Sequence, residues 1–210
     1  VSDIRAALFD FGGVILTSPF EAFARYERDH GLPDGFIRRL NATDPDTNAW
    51  ARLERSEVSL AEFSDLFEAE ARSAGHEVVG HEIIALLSGR LRPQMVEAVR
   101  RCSERLITGL LTNNFVVADG HVDREGEMDD VLGLFDAIVE SSKLGVRKPD
   151  PAFYELACEQ LGIVATEAVF LDDLGVNLKP ARALGMTTIK VMDPDQAIAD
   201  LESVVGFPLR

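Results

Sequence analysis

Residues 8–16 read LFDFGGVIL. An apolar run stops at Asp10, and Gly12 and Gly13 follow one residue later. A strand that buries its side chains gains nothing from a terminal carboxylate unless that group has work at the sheet's edge. The residues before Asp10 belong to the run IRAALFD (4–10), and four runs of the same kind come later: RLITGLLT (105–112), FDAIVE (135–140), EAVFLD (167–172) and TTIKV (187–191). Near-continuous apolar character, without strict alternation, is the pattern of strands covered on both faces of a parallel sheet.

Helical patterns separate the later runs. PAFYELACEQLG (151–162) opens on Asp150 as N-cap with Pro151 in the first turn, and closes on Gly162. DPDQAIADLESVVG (193–206) uses the same Asp-Pro device. NLKPARALG (177–185) ends on Gly185, and Pro180 confines its regular part to the residues that follow. This alternation predicts an α/β fold, a doubly wound, Rossmann-like parallel sheet. Residues 11–104 break the rhythm, being far too many for one crossover helix. Within them PFEAFARYERDHG, DGFIRRLNA, SLAEFSDLFEAEARSAG and HEIIALLSGR read as helices. The expected organisation is a core of residues 1–17 and 91–210 with an inserted helical subdomain at 18–90.

Composition narrows the function classes. The chain has 210 residues and a net charge of −15, from 21 basic and 36 acidic side chains. Phosphate-backbone and anionic-membrane binding rest on Lys and Arg, so nucleic acid and membrane are not expected partners. A small phosphorylated substrate remains compatible, because a bound metal reverses the local field. Cys102 and Cys158 lie far apart and outside any CxxC, as reduced thiols do. The opening residues carry Asp3, Arg5 and Asp10, so they hold no signal-peptide core, and no apolar run approaches the ~20 residues of a membrane span. A cytoplasmic protein is the expectation. Nothing chooses between a monomer and a homodimer. There is no GxSxG elbow, no P-loop and no GxGxxG.

Three of the five runs end on polar residues: Asp10, Thr112-Asn113-Asn114, and Asp172-Asp173. In open α/β sheets ligands bind beyond the carboxyl ends of the strands, near the switch in strand order. These groups converge if the first run sits between the second and the fourth. A single Asp at a strand end is ordinarily a turn or cap residue. The coincidence of three such ends, with Lys148 in KPDP, is what argues for a site.

In this order and spacing the chain resembles the haloacid dehalogenase-like hydrolases over nearly its whole length. The family's nucleophilic Asp is matched by Asp10 in FDFGGV, its Ser or Thr after a second strand by Thr112 in GLLTNN, its Lys by Lys148 in SSKLGVRKPDPAFY, and its acidic pair by Asp172 and Asp173 in FLDDLGVNLKPARALG. The helical insert is similar to the family's cap. KLGVRKPDPAFY and the GGV start are more narrowly similar to the branch holding the phosphatase domain of soluble epoxide hydrolases. The resemblance implies a Mg²⁺-dependent phosphatase acting on a small phosphorylated metabolite. Asp10, Lys148 and Thr112 would be catalytic, and Gly12, Gly13, Thr112, Asn113 and Lys148 would bind substrate. Asp10, the Gly12 carbonyl, Asp172 and Asp173 would hold the metal, with Asp172 reaching it directly or through water.

The chemistry is consistent with that set. Attack by a carboxylate on phosphorus splits hydrolysis into two easier steps. The carboxylate repels a phosphate dianion, so cations must gather, and Mg²⁺ suits an all-oxygen site. Packed carboxylates without a cation would also repel one another. Lys143 is a rival to Lys148, and Asn177 reads equally as a fixer of the acidic pair or as a helix N-cap.

One position departs from the family. Its phosphatases usually carry a second Asp two residues after the nucleophile, which protonates the leaving group; here Gly12 stands there. Glycine keeps the carbonyl but not the acid, a loss worth about 10²–10⁴ in rate. Three readings stay open. Substrates whose leaving groups need little protonation are preferred, such as sugar-1-phosphates, acyl phosphates or aryl phosphates; or Glu54, Asp44, Asp46 or His30 replaces the acid; or the chain is a weak or silent binding protein on an enzyme's fold. Dehalogenation is a poorer match, because the dehalogenases resembled lack the metal-type acidic pair and carry an aromatic where Gly12 stands. The simplest reading of Gly12 and Gly13 is a tight turn close to the strand end. Trp50 reads as an aromatic of the subdomain's own core, HVDREGEMDD (121–130) as a solvated loop, and His30, His76, His81 and His121 show no metal spacing.

Overall fold

In the computed structural model, which describes residues 3–87, 89–114 and 126–210, the five apolar runs form one parallel sheet. Its strands are β1 (Ala6–Phe9), β2 (Ile107–Thr112), β3 (Ala137–Glu140), β4 (Ala168–Asp172) and β5 (Thr187–Lys190), in the order β3-β2-β1-β4-β5. β1 is central, with Phe9 opposite Leu110 on one side and Leu171 on the other. The chain winds outward from β1 through β2 to β3, then crosses back to β4 and β5. The switch in direction therefore falls between β1 and β4, at their carboxyl ends.

Helices cover both faces, as the two-sided burial of the strands requires. On one face Ala7, Phe9, Leu110, Val169, Leu171 and Ile189 pack with α6 (Pro93–Ser103), α7 (Gly126–Leu132) and α11 (Pro194–Val205). On the other Ala6, Leu8, Leu111, Val139 and Phe170 pack with α9 (Pro151–Leu161) and α10 (Gly175–Ala183). A short α8 (Ser141–Leu144) follows β3 directly.

Between β1 and β2 lie α1 (Phe20–Asp29), α2 (Phe36–Ala42), α3 (Ala49–Glu54), α4 (Leu60–Ser73) and α5 (Gly80–Ala85). They bury an apolar cluster of their own, with Phe23, Phe36, Ile37, Leu53, Phe63, Phe67 and Ile83 at its centre. Two connections join them to the sheet. These run antiparallel: Thr17 N–H donates to Arg90 O at 2.8 Å, and Arg92 N–H to Ile15 O at 2.9 Å.

Two local expectations fail. α10 starts at Gly175 and runs straight through Pro180. The carbonyl that Pro180 leaves without a donor belongs to Val176, an exposed residue, while Leu178 and Ala181 on the same helix are buried. Packing outweighs the lost bond. Residues 126–130 of the acidic stretch are likewise helix, not loop, because Val131 is buried and Met128 and Leu132 pack against the same cluster at helical spacing. The rest of that stretch, 121–125 with His121, lies outside the described residues. Cys102 and Cys158 are free thiols, as expected. No helix among the described residues is long and apolar enough to cross a membrane.

Candidate active site

Asp10 follows β1 directly, and its N–H extends the ladder to Leu171 O at 2.9 Å. The chain then closes one wide turn, in which Leu16 N–H donates to Phe11 O at 2.9 Å. Asp10 Oδ1 accepts from Phe11 N–H at 2.7 Å and pairs with Lys148 Nζ at 2.8 Å. Within the turn Gly12 has φ −70° and ψ 129°, whereas Gly13 has φ +79°. A Cβ on Gly13 would lie 2.2 Å from Asp173 Oδ2; one on Gly12 would meet nothing within 4 Å.

Lys148 lies on the loop between α8 and α9 and is 1% exposed. Its ammonium places its three donors on Asp10 Oδ1, Asp172 Oδ2 (2.9 Å) and Leu111 O (2.9 Å). The Asn113 side chain fixes the loop: its Oδ1 accepts Lys148 N–H and its Nδ2 donates to Lys148 O, both at 2.9 Å. Burial works against the lysine's charge, but Asp10 and Asp172 outweigh it and hold its pKa above the ordinary lysine value.

Asp172 ends β4 with no exposed surface. Oδ1 accepts Leu174 N–H at 2.7 Å and Asn177 Nδ2 at 3.2 Å; Oδ2 accepts Lys148 Nζ at 2.9 Å and Asn177 Nδ2 at 3.0 Å. A carboxylate offers about four lone-pair sites, and all are used here. Asn177 thus holds Asp172, one member of the acidic pair, and is not an N-cap: it lies inside α10, and its own C=O accepts Tyr154 OH at 2.7 Å. Asp173 is the more open member. Oxygens of Asp10, Asp172 and Asp173 lie within 4.8 Å of one another.

The electrostatics of this cluster follow from burial. Desolvation pushes Asp10 up to about 8; Lys148 opposes the shift, while Asp172 and Asp173 add to it. Asp173 is raised to about 6, chiefly by burial and then by Asp172. Three carboxylates face a single internal ammonium, and the missing Cβ of Gly13 makes the cradle in which Asp173 sits. An all-oxygen, anionic set of this kind fits a magnesium ion.

The other candidates divide. Thr112 ends β2, two residues beyond the Phe9–Leu110 pair, and is 9% exposed. Lys143 is an exposed residue of α8 paired with Glu140, away from the carboxylates. His30 bonds Tyr26 O through Nδ1 and lies 3.8 Å from Glu82. Asp44 and Asp46 are exposed loop residues. Glu54 is buried and ion-paired to Arg147 at 2.5 Å, and Trp50 packs edge-on to Phe23, Phe63 and Phe67. Arg147 and Ser141 carry no motif of their own; their only sequence signal is proximity to Lys148.

The chain is similar to known proteins. A family model described as haloacid dehalogenase-like hydrolase matches residues 4–185. The chain is 35% identical to acyl-CoA dehydrogenase family member 10 of Mus musculus and 32% identical to bifunctional epoxide hydrolase 2 of Sus scrofa, in each case over 98% of its own length. It spans 20% and 40% of the length of those two relatives. A sesquiterpene phosphatase of Aspergillus oryzae is 30% identical over 96% of this chain and 97% of its own. Among solved structures, a family enzyme of Bacteroides thetaiotaomicron in complex with magnesium and inorganic phosphate has a TM-score of 0.60 at 21% identity, covering 89% of this chain and 93% of that one. Sequence, sheet order and strand-end residues lead to one assignment: the chain is a hydrolase of the haloacid dehalogenase-like family.

Proposed function

We propose that this hydrolase is a Mg²⁺-dependent phosphatase that cleaves a small phosphomonoester through an aspartyl-phosphate on Asp10. The observation that carries the proposal is the buried Asp10–Lys148–Asp172 array with Asp173 beside it. Relatives named as phosphatases support the reaction class: the sesquiterpene phosphatase and a phosphatase of Mycobacterium tuberculosis, 29% identical over 96% of the chain.

Both hydrogen bonds to Asp10 fall on Oδ1, so Oδ2 carries none among the described residues and is the oxygen with lone pairs to offer. In the first step an Asp10 oxygen bonds to phosphorus and the bond to the ester oxygen breaks, its electron pair leaving with the alkoxide. In the second, water attacks phosphorus, the phosphorus–oxygen bond to Asp10 breaks with its electron pair returning to the carboxylate, and the proton water gives up balances the one taken by the alkoxide, so that inorganic phosphate and the alcohol result. Lys148 orients Asp10 and favours its ionised form against the pull of burial. Thr112, the Asn113 backbone N–H and the turn through Gly12 and Gly13 surround the phosphoryl oxygens. Asp10, Asp173 and the Gly12 carbonyl would hold a magnesium ion, with Asp172, its lone pairs already used, supporting the site. The ion would supply charge neutralisation of the phosphoryl group. The helices of 18–90 act as the cap that covers the site and selects substrate, on a core of 1–17 and 91–210.

A silent binding protein is the second reading, favoured by the bare Gly12. Phosphate release from sugar, acyl and aryl phosphates, with Mg²⁺ or with EDTA and with Asp10→Asn as control, separates the two. Turnover that needs both the metal and Asp10 is expected; no release above the Asp10→Asn background on any ester would leave only the binding protein.

A further inference from the structure

One buried network lies outside the proposed chemistry. Glu54 ends α3 in the helical segment, yet it is only 8% exposed, and its carboxylate reaches residues of the sheet half. Oε1 accepts the Trp50 indole N–H at 3.0 Å. Oε2 pairs with Arg147 at 2.5 Å and takes Asn113 Nδ2 at 3.3 Å. The Glu54 backbone carbonyl accepts Ser141 Oγ at 2.6 Å. Arg147 also extends into the helical segment, where its Nη1 donates to Pro45 O at 2.7 Å. Asn113 is the same side chain that brackets the Lys148 backbone.

We infer that Glu54 and Arg147 are positioning residues: they join the helical segment to the Asn113–Lys148 clamp, so that the seating of the segment on the sheet sets where the Lys148 ammonium lies between Asp10 and Asp172. The inference rests on the proposed roles of Asp10 and Lys148. Arg147 and Lys148 are consecutive, with Cα atoms about 3.8 Å apart, so one cannot shift without the other. The segment already has a mechanical attachment, the backbone pairing of 15–17 with 90–92. A second attachment at Arg147 and Ser141 adds orientation to mere tethering. It also uses a buried carboxylate, which must be paired and hydrogen-bonded to be tolerated. Burial pushes the Glu54 carboxyl up even with Arg147 and Trp50 opposing. Both of its oxygens are engaged, so it has no proton to give a leaving group without opening the joint.

Trp50 is the chain's single tryptophan, and its indole is bonded to Glu54, so its emission reports the joint directly. Adding Mg²⁺ with inorganic phosphate is expected to shift that emission in the wild type, to leave Arg147→Met unmoved, and to give part of the shift in Arg147→Lys. In steady-state kinetics Glu54→Gln and Arg147→Met should lose kcat by about 10²-fold, the scale of a misplaced catalytic group, with KM little changed. The double variant should be no worse than either single one, because the pair acts as a unit. Arg147→Lys should recover part of kcat, which guards against a variant that merely fails to fold. Full turnover in both variants with unmoved emission overturns the joint and leaves the phosphatase standing. An Arg147-dependent emission shift in a protein that hydrolyses no ester keeps the joint and removes the phosphatase. Neither turnover nor shift removes both.

Discussion

Gly12 and Gly13 are neighbours with different reasons to be glycine. At Gly13 the backbone is left-handed, and a Cβ would collide with Asp173, so conformation and space both demand it. At Gly12 the backbone is in a region open to every residue, and a Cβ would meet nothing within 4 Å. Neither conformation nor space at the Cβ demands glycine there. Gly13→Ala should cost about 1–2 kcal/mol of stability from the left-handed alanine alone, and should drive Asp173 out of its cradle. Calorimetric titration should then find Mg²⁺ binding lost. Gly12→Ala should be neutral, or more stable by about 0.4–1 kcal/mol through the unfolded chain; equal losses at the two positions would refute this division. Gly12→Asp restores an acid and should raise kcat on an alkyl phosphate by up to about 10²–10⁴ while leaving an aryl phosphate nearly unchanged. An unmoved ratio between the two esters would show that protonation comes from elsewhere. Asp10, Asp172 and Asp173 were legible in the sequence because each ends or follows an apolar run, and Lys148 because it stands in KPDP at the place the family resemblance gives a lysine. The contrast between the glycines was not, because it lies in a dihedral angle and in a neighbour 160 residues away.

At the level of single elements, legibility followed how many signals agreed. The central strands β1, β2 and β4 were readable because burial on both faces leaves them nearly all apolar, whereas the edge strand β5, TTIK, showed only through its β-branched residues. α9 and α11 were readable from Asp-Pro starts and glycine ends, and the structure shows the caps at work. Asp193 Oδ1 accepts the N–H groups of Asp195 and Gln196 at 3.0 and 3.1 Å. Asp193→Ala should therefore cost about 1 kcal/mol, seen as a lower urea midpoint with an unchanged slope. An unchanged midpoint would mean that the packing of Ile198 and Leu201 alone holds the start of α11. α10 defied its proline and α7 its acidic composition for one reason: buried side chains on the far side of each helix outweigh local preference. α3 is the hardest case. It has only six residues, and its importance lies in contacts from Glu54 to Asn113, Ser141 and Arg147 that no local pattern announces.

Across the whole molecule, the sequence shows an oversized gap between the first two strands, and the helices α1–α5 found there have their own apolar cluster. The cost of gathering carboxylates at the switch point also belongs to this scale, because it couples folding to protons and metal. Without a cation, Asp10 is raised to about 8 and Asp173 to about 6, against 3.8 for an ordinary Asp. The metal-free native state thus keeps protons that the unfolded chain has released. Where the native state binds more protons, stability falls as pH rises. The contribution of these two groups is complete below the ordinary carboxylate range and drains away as pH climbs through about 6 and then about 8. A cation reverses the trend, because its ligands must be deprotonated to bind, and binding to the native state alone adds about 2.7 kcal/mol at a hundredfold excess over Kd. In EDTA the melting temperature should therefore fall from about pH 4 to about pH 8, most steeply below about pH 6 where both groups contribute, and Mg²⁺ should flatten that fall, so that the gap between the two curves widens with pH. Asp173→Asn removes a proposed ligand but leaves the saturated Asp172 in place, so it should close most of the gap without unfolding the protein. A gap that stayed constant across the range would mean that no proton leaves the cluster when magnesium enters, and that the ion, if bound, sits elsewhere.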